Sequence, residues 1–215
     1  MMYEKHGWTF PDYDTHFAEM LDKNIAKGGQ PVYQEPVRRK SFSFVEHKGL
    51  ALDIGANVGL WCRDMAKEFQ RVIAFEPVAD FRQCLQQNVN MEKVDLRALA
   101  LGSSEGMIDM IITEENTGHS HVDPNSIGQG SIPMVTLDGL QLRKFDYVKI
   151  DCEGYEYEIL LGAENSMKEY RPITVIEQKF HQDVGHENGS EAYDLLRSWG
   201  AVELARVRND VIMGW

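Results

Sequence analysis

Asp53, Gly55, Asn57 and Gly59 fall in the run Leu50-Ala-Leu-Asp-Ile-Gly-Ala-Asn-Val-Gly59, where an apolar segment ends in an acid and a tight turn follows. An acid at such a place is delivered to the C-terminal edge of a sheet, where open α/β sheets take their ligands. The glycines let backbone pass close beneath a ligand and tolerate positive φ. Asn57 is among the few other residue types that visit the left-handed region readily. Glu76 ends the next apolar run, Val72-Ile-Ala-Phe-Glu76, one strand over. A carboxylate there can accept hydrogen bonds from both hydroxyls of a ribose. A dinucleotide fingerprint would require glycine at 57 and 60, where Asn57 and Leu60 stand. The pattern therefore suits an amino-acid-bearing nucleoside better than a pyrophosphate.

A second acidic group follows the later run Tyr147–Ile150: Asp151 and Glu153, then Gly154, at another strand end facing the same crevice. Either carboxylate can act on an acceptor, steady a cationic ligand or hold a divalent metal. Glu153 has a plainer alternative, an acid at the positive end of the next helix. His181, just beyond the run Ile173–Glu177, can overhang the same crevice, and histidine is the side chain that titrates nearest neutrality, which suits a general base. His119 and His121, in a polar loop, could reach it from above.

Those residues need a parallel sheet to bring them to one edge, and the chain predicts one. From residue 49 the pattern alternates: strand Leu50–Ile54, helix Val58–Phe69, strand Arg71–Phe75, helix Ala79–Met91, then a third strand Leu96–Leu101. Met107–Thr113 reads as a strand that breaks the alternation, and Ile132–Leu137 as another. Between them Glu114–Gly130 has no apolar period, and loops that long are often functional. Strand Tyr147–Ile150, one amphipathic helix Tyr155–Glu169 and strand Ile173–Glu177 resume the order. Val202–Val207 and Val211–Trp215 close it as a hairpin across Arg208-Asn209-Asp210. Before residue 48 a helical extension is expected, with helices at Tyr13–Lys27, capped by Asp12 or Asp14, and near Glu35–Glu46. The expected division is residues 1–47 as the extension and 48–215 as the ligand-binding domain.

A chain of 215 residues holds one α/β domain and not two ordinary ones. Its net charge of −12 argues against a grip on nucleic-acid backbone. Arg38-Arg39-Lys40, the one basic cluster, reads as a solvated helix face. Cys62, Cys84 and Cys152 lack metal spacing and leave one unpaired in any disulfide scheme, as expected of reduced, partly buried thiols in a cytoplasmic protein. No membrane span and no secretory signal is expected. Oligomeric state is not legible in these features.

Taken together, the motifs resemble the FkbM family of S-adenosylmethionine (SAM)-dependent methyltransferases. The resemblance is carried by Leu52–Gly59, Ala74–Pro77, Ala98–Gly106, Asn116-Thr-Gly118, Val135–Gly139, Val148–Glu156, Leu160–Ala163 and Pro172–Glu177, in the family's order. It implies a class I, Rossmann-like fold: a mostly parallel, doubly wound sheet with a C-terminal antiparallel hairpin. The implied activity is O-methylation of a sugar, glycan or another small hydroxylated metabolite. Asp53, Gly55, Asn57 and Gly59 would then meet the methionine part of SAM, Glu76 its ribose, and Asp151 the methyl and acceptor. Asp151, Glu153 and His181 are the expected catalytic group, with His181 or Asp151 taking the acceptor proton. Cys152 stands where the family carries an aliphatic residue and is expected to pack rather than react. Two other readings remain open: a metal-assisted enzyme using Asp151, Glu153, Glu177 or His181, and a SAM-binding or interaction protein without catalysis.

Overall fold

A computed structural model describes residues 1–178 and 189–215. Its centre is a seven-stranded sheet in the order Val202–Val207, Asp210–Gly214, Ile173–Glu177, Tyr147–Ile150, Leu50–Ile54, Arg71–Phe75, Val94–Arg97. The last five run parallel, and Asp210–Gly214 is antiparallel to both of its neighbours. Period-2 alternation explains how one sheet serves two layers of helix. Leu52, Ile54, Ile73, Phe75 and Val148 face the helices Glu156–Leu161, Glu164–Tyr170 and Glu191–Ser198. Ala51, Val72, Ala74 and Tyr147 face Glu35–Phe42 and Cys62–Glu68. The parallel strands are buried on both faces and so read as near-continuous apolar runs.

Strand order reverses between Leu50–Ile54 and Tyr147–Ile150, which are paired although far apart in sequence. Ligands bind outside the carboxyl ends of strands at such a switch point. This is the edge at which Asp53, Glu76 and Asp151 stand.

Several elements differ from expectation for identifiable reasons. The third strand is Val94–Arg97, and Ala100–Leu101 leaves to pair with Met134–Val135 in a separate three-stranded sheet completed by Gly106–Ile108. Met110–Ile111 pairs instead with His121–Val122 inside the polar loop. The expected helix 155–169 breaks at Gly162, where a Cβ would lie 2.0 Å from the Gly102 carbonyl oxygen. The second piece is capped from outside, since Asp138 accepts hydrogen bonds from the amides of Asn165 (2.9 Å) and Ser166 (2.8 Å).

Residues 1–47 are not wholly helical. Met2–Lys5 and Trp8–Pro11 form an antiparallel hairpin across His6 (φ 54°) and Gly7 (φ 74°), the double positive φ of a tight hairpin turn. The hairpin is bolted to the helix Ala79–Asn88, whose Asn88 side chain bonds both the amide and the carbonyl of Thr9 (2.6 and 2.9 Å). Helices His16–Ala26 and Glu35–Phe42 follow. Asp14 does cap the first, accepting from the Phe17 amide at 3.2 Å.

The basic cluster needs correction as well. Arg38 is buried, pairs with Asp64 at 2.5 Å and lies over the Trp61 ring, so only Arg39 and Lys40 are exposed. Among the described residues no helix is long and apolar enough to cross a membrane.

Candidate active site

The turn after Leu50–Ile54 is set by two close approaches. Phe75 O accepts from both Gly55 N and Ala56 N at 3.1 Å, tying the turn to the neighbouring strand. On the other side a Cβ on Gly55 would lie 2.1 Å from the Asp151 carbonyl oxygen, and its φ is +75°. Gly55 is therefore required by backbone packed against backbone. Gly59 (φ +90°) meets Leu85 and Val89 and serves packing of the following helix. Asn57 adopts φ 49°, with its Oδ1 accepting from Val58 N and its Nδ2 donating to Thr117 O at 3.1 Å.

Glu76 is buried at the end of its strand, yet it lines a cavity together with Phe75, Phe81, Leu101 and Ile159. Its Oε2 accepts from Asn57 N (2.7 Å) and its Oε1 from Val78 N (2.8 Å). Burial pushes the carboxyl up to about 7, although these two amides and the charges of Arg82 and Lys149 pull the other way. Each oxygen keeps a lone pair for a ligand donor. A largely apolar slot with the Glu76 carboxylate at one side and Asp151 and Glu153 at its junction with a second space is suited to a nucleoside.

A more polar chamber adjoins the slot, sharing Gly55, Asn57, Gly118, Asp151 and Glu153 with it and adding Lys149, Asn116, His119, Trp61, Tyr33, His16 and Phe17. Lys149 projects from an otherwise apolar buried strand. Its Nζ donates to Gly55 O (3.0 Å) and lies 3.4 Å from Asp151 Oδ2 and 3.7 Å from Asp53 Oδ1. Burial alone would lower the ammonium, but Asp151 and Asp53 push it above the usual lysine range, so it stays charged. Among the described residues the buried oxygen Asn116 Oδ1 lacks any hydrogen-bond partner. A buried acceptor of that kind calls for a ligand donor or water.

A sequence model of the FkbM methyltransferase domain matches residues 53–202. The chain belongs to this family. No curated protein matches it in sequence. Among solved structures, a FkbM methyltransferase from Methylobacillus flagellatus is 18% identical with a TM-score of 0.49, over 78% of this chain and 43% of that one. This chain thus spans under half the length of that relative. A precorrin-6y C5,15-methyltransferase from Geobacter metallireducens is 15% identical with a TM-score of 0.47, over 86% of this chain and 92% of that one. A precorrin 8w decarboxylase from Methanobacterium thermoautotrophicum is also 15% identical, with a TM-score of 0.48, over 84% of this chain and 89% of that one. Membership rests on the sequence match, and the fold on the strand order above.

Within this FkbM-family chain the sequence-derived residues separate into two groups. Gly55, Asn57, Glu76, Asp151 and Glu153 come together around the two compartments. Asp53 lies behind them, fully buried, with neither oxygen hydrogen-bonded. Burial raises its carboxyl, opposed by the Lys149 charge, so Asp53 faces a lysine rather than the cavity wall. Gly59 also lies off the lining and serves packing. His181 falls outside the described residues. His119 lines the chamber, while His121 Nδ1 bonds His119 O. Burial drives the Cys152 thiol well above its usual range, and none of the three cysteines is bridged. A thiol held protonated is a poor nucleophile, as expected of a packing residue.

Glu156 does the work that the plainer reading gave to Glu153. Its oxygens accept from Cys152 N (2.7 Å) and Gly154 N (3.0 Å), holding the turn at the helix start. That turn carries two consecutive positive φ values, Glu153 at 50° and Gly154 at 98°. Asp151 and Glu153 at this turn meet Glu177 from the end of the neighbouring strand, with one carboxylate oxygen of each within 4.8 Å of the others. Sequence reasoning missed Lys149, Tyr33 and Glu156 as site residues. A lysine inside a buried apolar strand was the one available signal, because such a charge must find a partner.

Proposed function

We propose that this FkbM-family chain is a SAM-dependent O-methyltransferase acting on a hydroxyl of a small acceptor, a sugar or glycan. The observation that carries the reading is the buried Glu76 carboxylate, set in an apolar slot that opens into a chamber holding Lys149, Asp151 and an unpartnered Asn116 oxygen. The slot fits an adenine, Glu76 accepts from the ribose hydroxyls, and the charged chamber suits the zwitterionic amino-acid end. Bound SAM supplies a methyl group already activated on a sulfonium.

The protein's remaining tasks are to orient the acceptor hydroxyl, exclude water and receive one proton. Positioning two reactants is worth roughly 7–11 kcal/mol where near-attack geometry is reached. Asp151, which like Glu153 lines both compartments, is our candidate to receive that proton, and His181 is its alternative. Glu153 and Glu177 add negative potential beside it, which favours a cationic methyl donor over an anionic one.

The same three carboxylates support one second reading. A divalent ion among Asp151, Glu153 and Glu177 would acidify the acceptor hydroxyl directly. The test of the function is transfer of labelled methyl from SAM to a panel of sugars, lipids and small metabolites, with and without EDTA, products mapped by mass spectrometry. Methylated hydroxyls are expected. Products on nitrogen or carbon would overturn the O-methyl assignment, and SAM binding without turnover would leave a cofactor-binding protein.

A further inference from the structure

We propose that the N-terminal segment builds a second ligand subsite, an outer cleft that holds the non-reacting part of an uncharged, hydroxyl-rich acceptor chain, an oligosaccharide of two or more rings. The proposal rests on the methyltransferase reading and extends it to the length of the acceptor. The cleft has a volume of about 500 Å³ and lies between the segment around residues 16–37 and the turn of the C-terminal hairpin at Arg208. That size falls within the roughly 300–1,000 Å³ typical of small-molecule sites. It meets the chamber beside Asp151 at His16 and Tyr33, which line both spaces. His16 and Tyr33 are thus the wall common to the two spaces, and a ligand whose reacting end lies near Asp151 reaches the outer cleft past Tyr33.

The lining chooses the class of ligand. Asn24 Nδ2 donates to Val32 O at 2.8 Å, and Gln34 Oε1 accepts from Trp61 Nε1 at 2.6 Å. Each amide is thus fixed at one end, which orients an acceptor (Asn24 Oδ1) and a donor (Gln34 Nε2) for a ligand's hydroxyls. Lys27 and Arg208 are offset by Glu35 and Asp210 in the same wall, and the carboxylates beside Tyr33 disfavour a phosphate. At the threshold the Tyr33 ring is held edge-on by Phe17, with centroids 5.4 Å apart and planes at 89°. Burial, reinforced by Asp151, Glu177, Asp210 and Glu153, raises its phenol well above the usual range. Tyr33 therefore stays protonated, a hydrogen-bond donor facing carboxylates at the point where an acceptor chain must pass.

The test uses the full-length protein saturated with S-adenosylhomocysteine, labelled and applied to an array of mono- to hexasaccharides. Retention is expected on oligosaccharides and to be weaker on single sugars. Gln34→Glu keeps the oxygen that Trp61 needs and removes the donor, while Gln30→Trp fills the exposed wall of the cleft. Either change should reduce retention about tenfold, the equivalent of one lost hydrogen bond, with S-adenosylhomocysteine affinity by calorimetry unchanged. Absence of retention on any glycan, or equal retention by wild type and both variants, overturns the subsite. Failure of the wild type to bind S-adenosylhomocysteine overturns the methyltransferase reading instead.

Discussion

In the proposed cofactor site Glu76 makes binding a proton-linked event. Its carboxyl is pushed up to about 7 by burial, so near neutrality the free protein is a mixture of protonated and ionised forms. Ribose hydroxyls donating to the carboxylate select the ionised form, and binding must then expel the proton. The sign follows from linkage: affinity falls as pH drops below about 7 and levels off above it. The limiting slope is tenfold per pH unit, about 1.36 kcal/mol, so lowering the pH from 8 to 5.5 should weaken binding roughly 30-fold, or about 2 kcal/mol.

Calorimetry with S-adenosylhomocysteine, run in buffers of different ionisation enthalpy, reads the proton directly. Release should approach about half a proton per site at pH 7 and nearly one at pH 6. Glu156 is also pushed up to about 7, so the wild-type curve alone does not identify the group. Glu76→Gln does, because it removes the titration, although its amide nitrogen then faces Asn57 N or Val78 N, so its fold is checked by circular dichroism. The variant should bind more weakly at pH 8 and show no slope between pH 5.5 and 8. Proton uptake on binding, or an unchanged slope in Glu76→Gln, would refute the assignment of Glu76 to the ribose.

The other predictions concern the turns around it. Gly55→Val places a Cβ against the Asp151 carbonyl at 2.1 Å and a branched side chain at φ +75°, so S-adenosylhomocysteine binding should vanish and the melting temperature should fall; normal binding would mean the loop is misplaced. Glu156→Gln turns one of two accepting oxygens into a donor facing an amide, and denaturant titration should show a loss of about 1–3 kcal/mol; unchanged stability would show that Glu156 does not hold the turn. His181→Ala, as the alternative base, should slow methyl transfer by roughly 10²-fold with cofactor affinity retained. Asp151→Asn and Glu153→Gln should be equally slow, and EDTA should silence the wild type only if a metal assists. Near-normal turnover in all three variants, with and without chelator, would remove this whole group from the chemistry.

The central sheet was legible because its signals are local. Leu50–Ile54, Arg71–Phe75, Tyr147–Ile150 and Ile173–Glu177 match expectation to the residue, since strands buried on both faces are near-continuous apolar runs. The misreadings lie where a distant contact decides the local conformation. Gly162 breaks a helix because Gly102 backbone lies against it, and nothing within 155–169 announces that contact. Arg38 looks like its exposed neighbours until Asp64 and Trp61 are brought to it by the fold. The glycine turn does follow the strand Leu50–Ile54, for a partly different reason than expected: Gly55 yields to protein backbone and Gly59 to helix packing.

Asn57 joins these local and distant requirements. A glycine would satisfy φ 49° at less cost, yet it would supply only the backbone amide that holds Glu76. The asparagine side chain also reaches Thr117 O, and Thr117 in turn donates its amide and hydroxyl to the fully buried Asp14. Asp14 caps the helix that starts at His16, one of the two residues at the threshold between chamber and cleft. One unbroken chain of hydrogen bonds therefore runs from the Glu76 carboxylate to the N-terminal wall. Each link is buried or half-buried, where an unmade hydrogen bond costs about 1–3 kcal/mol. The cost resists independent movement of the two walls, so the position of the N-terminal segment is tied to the carboxylate proposed to meet the ribose.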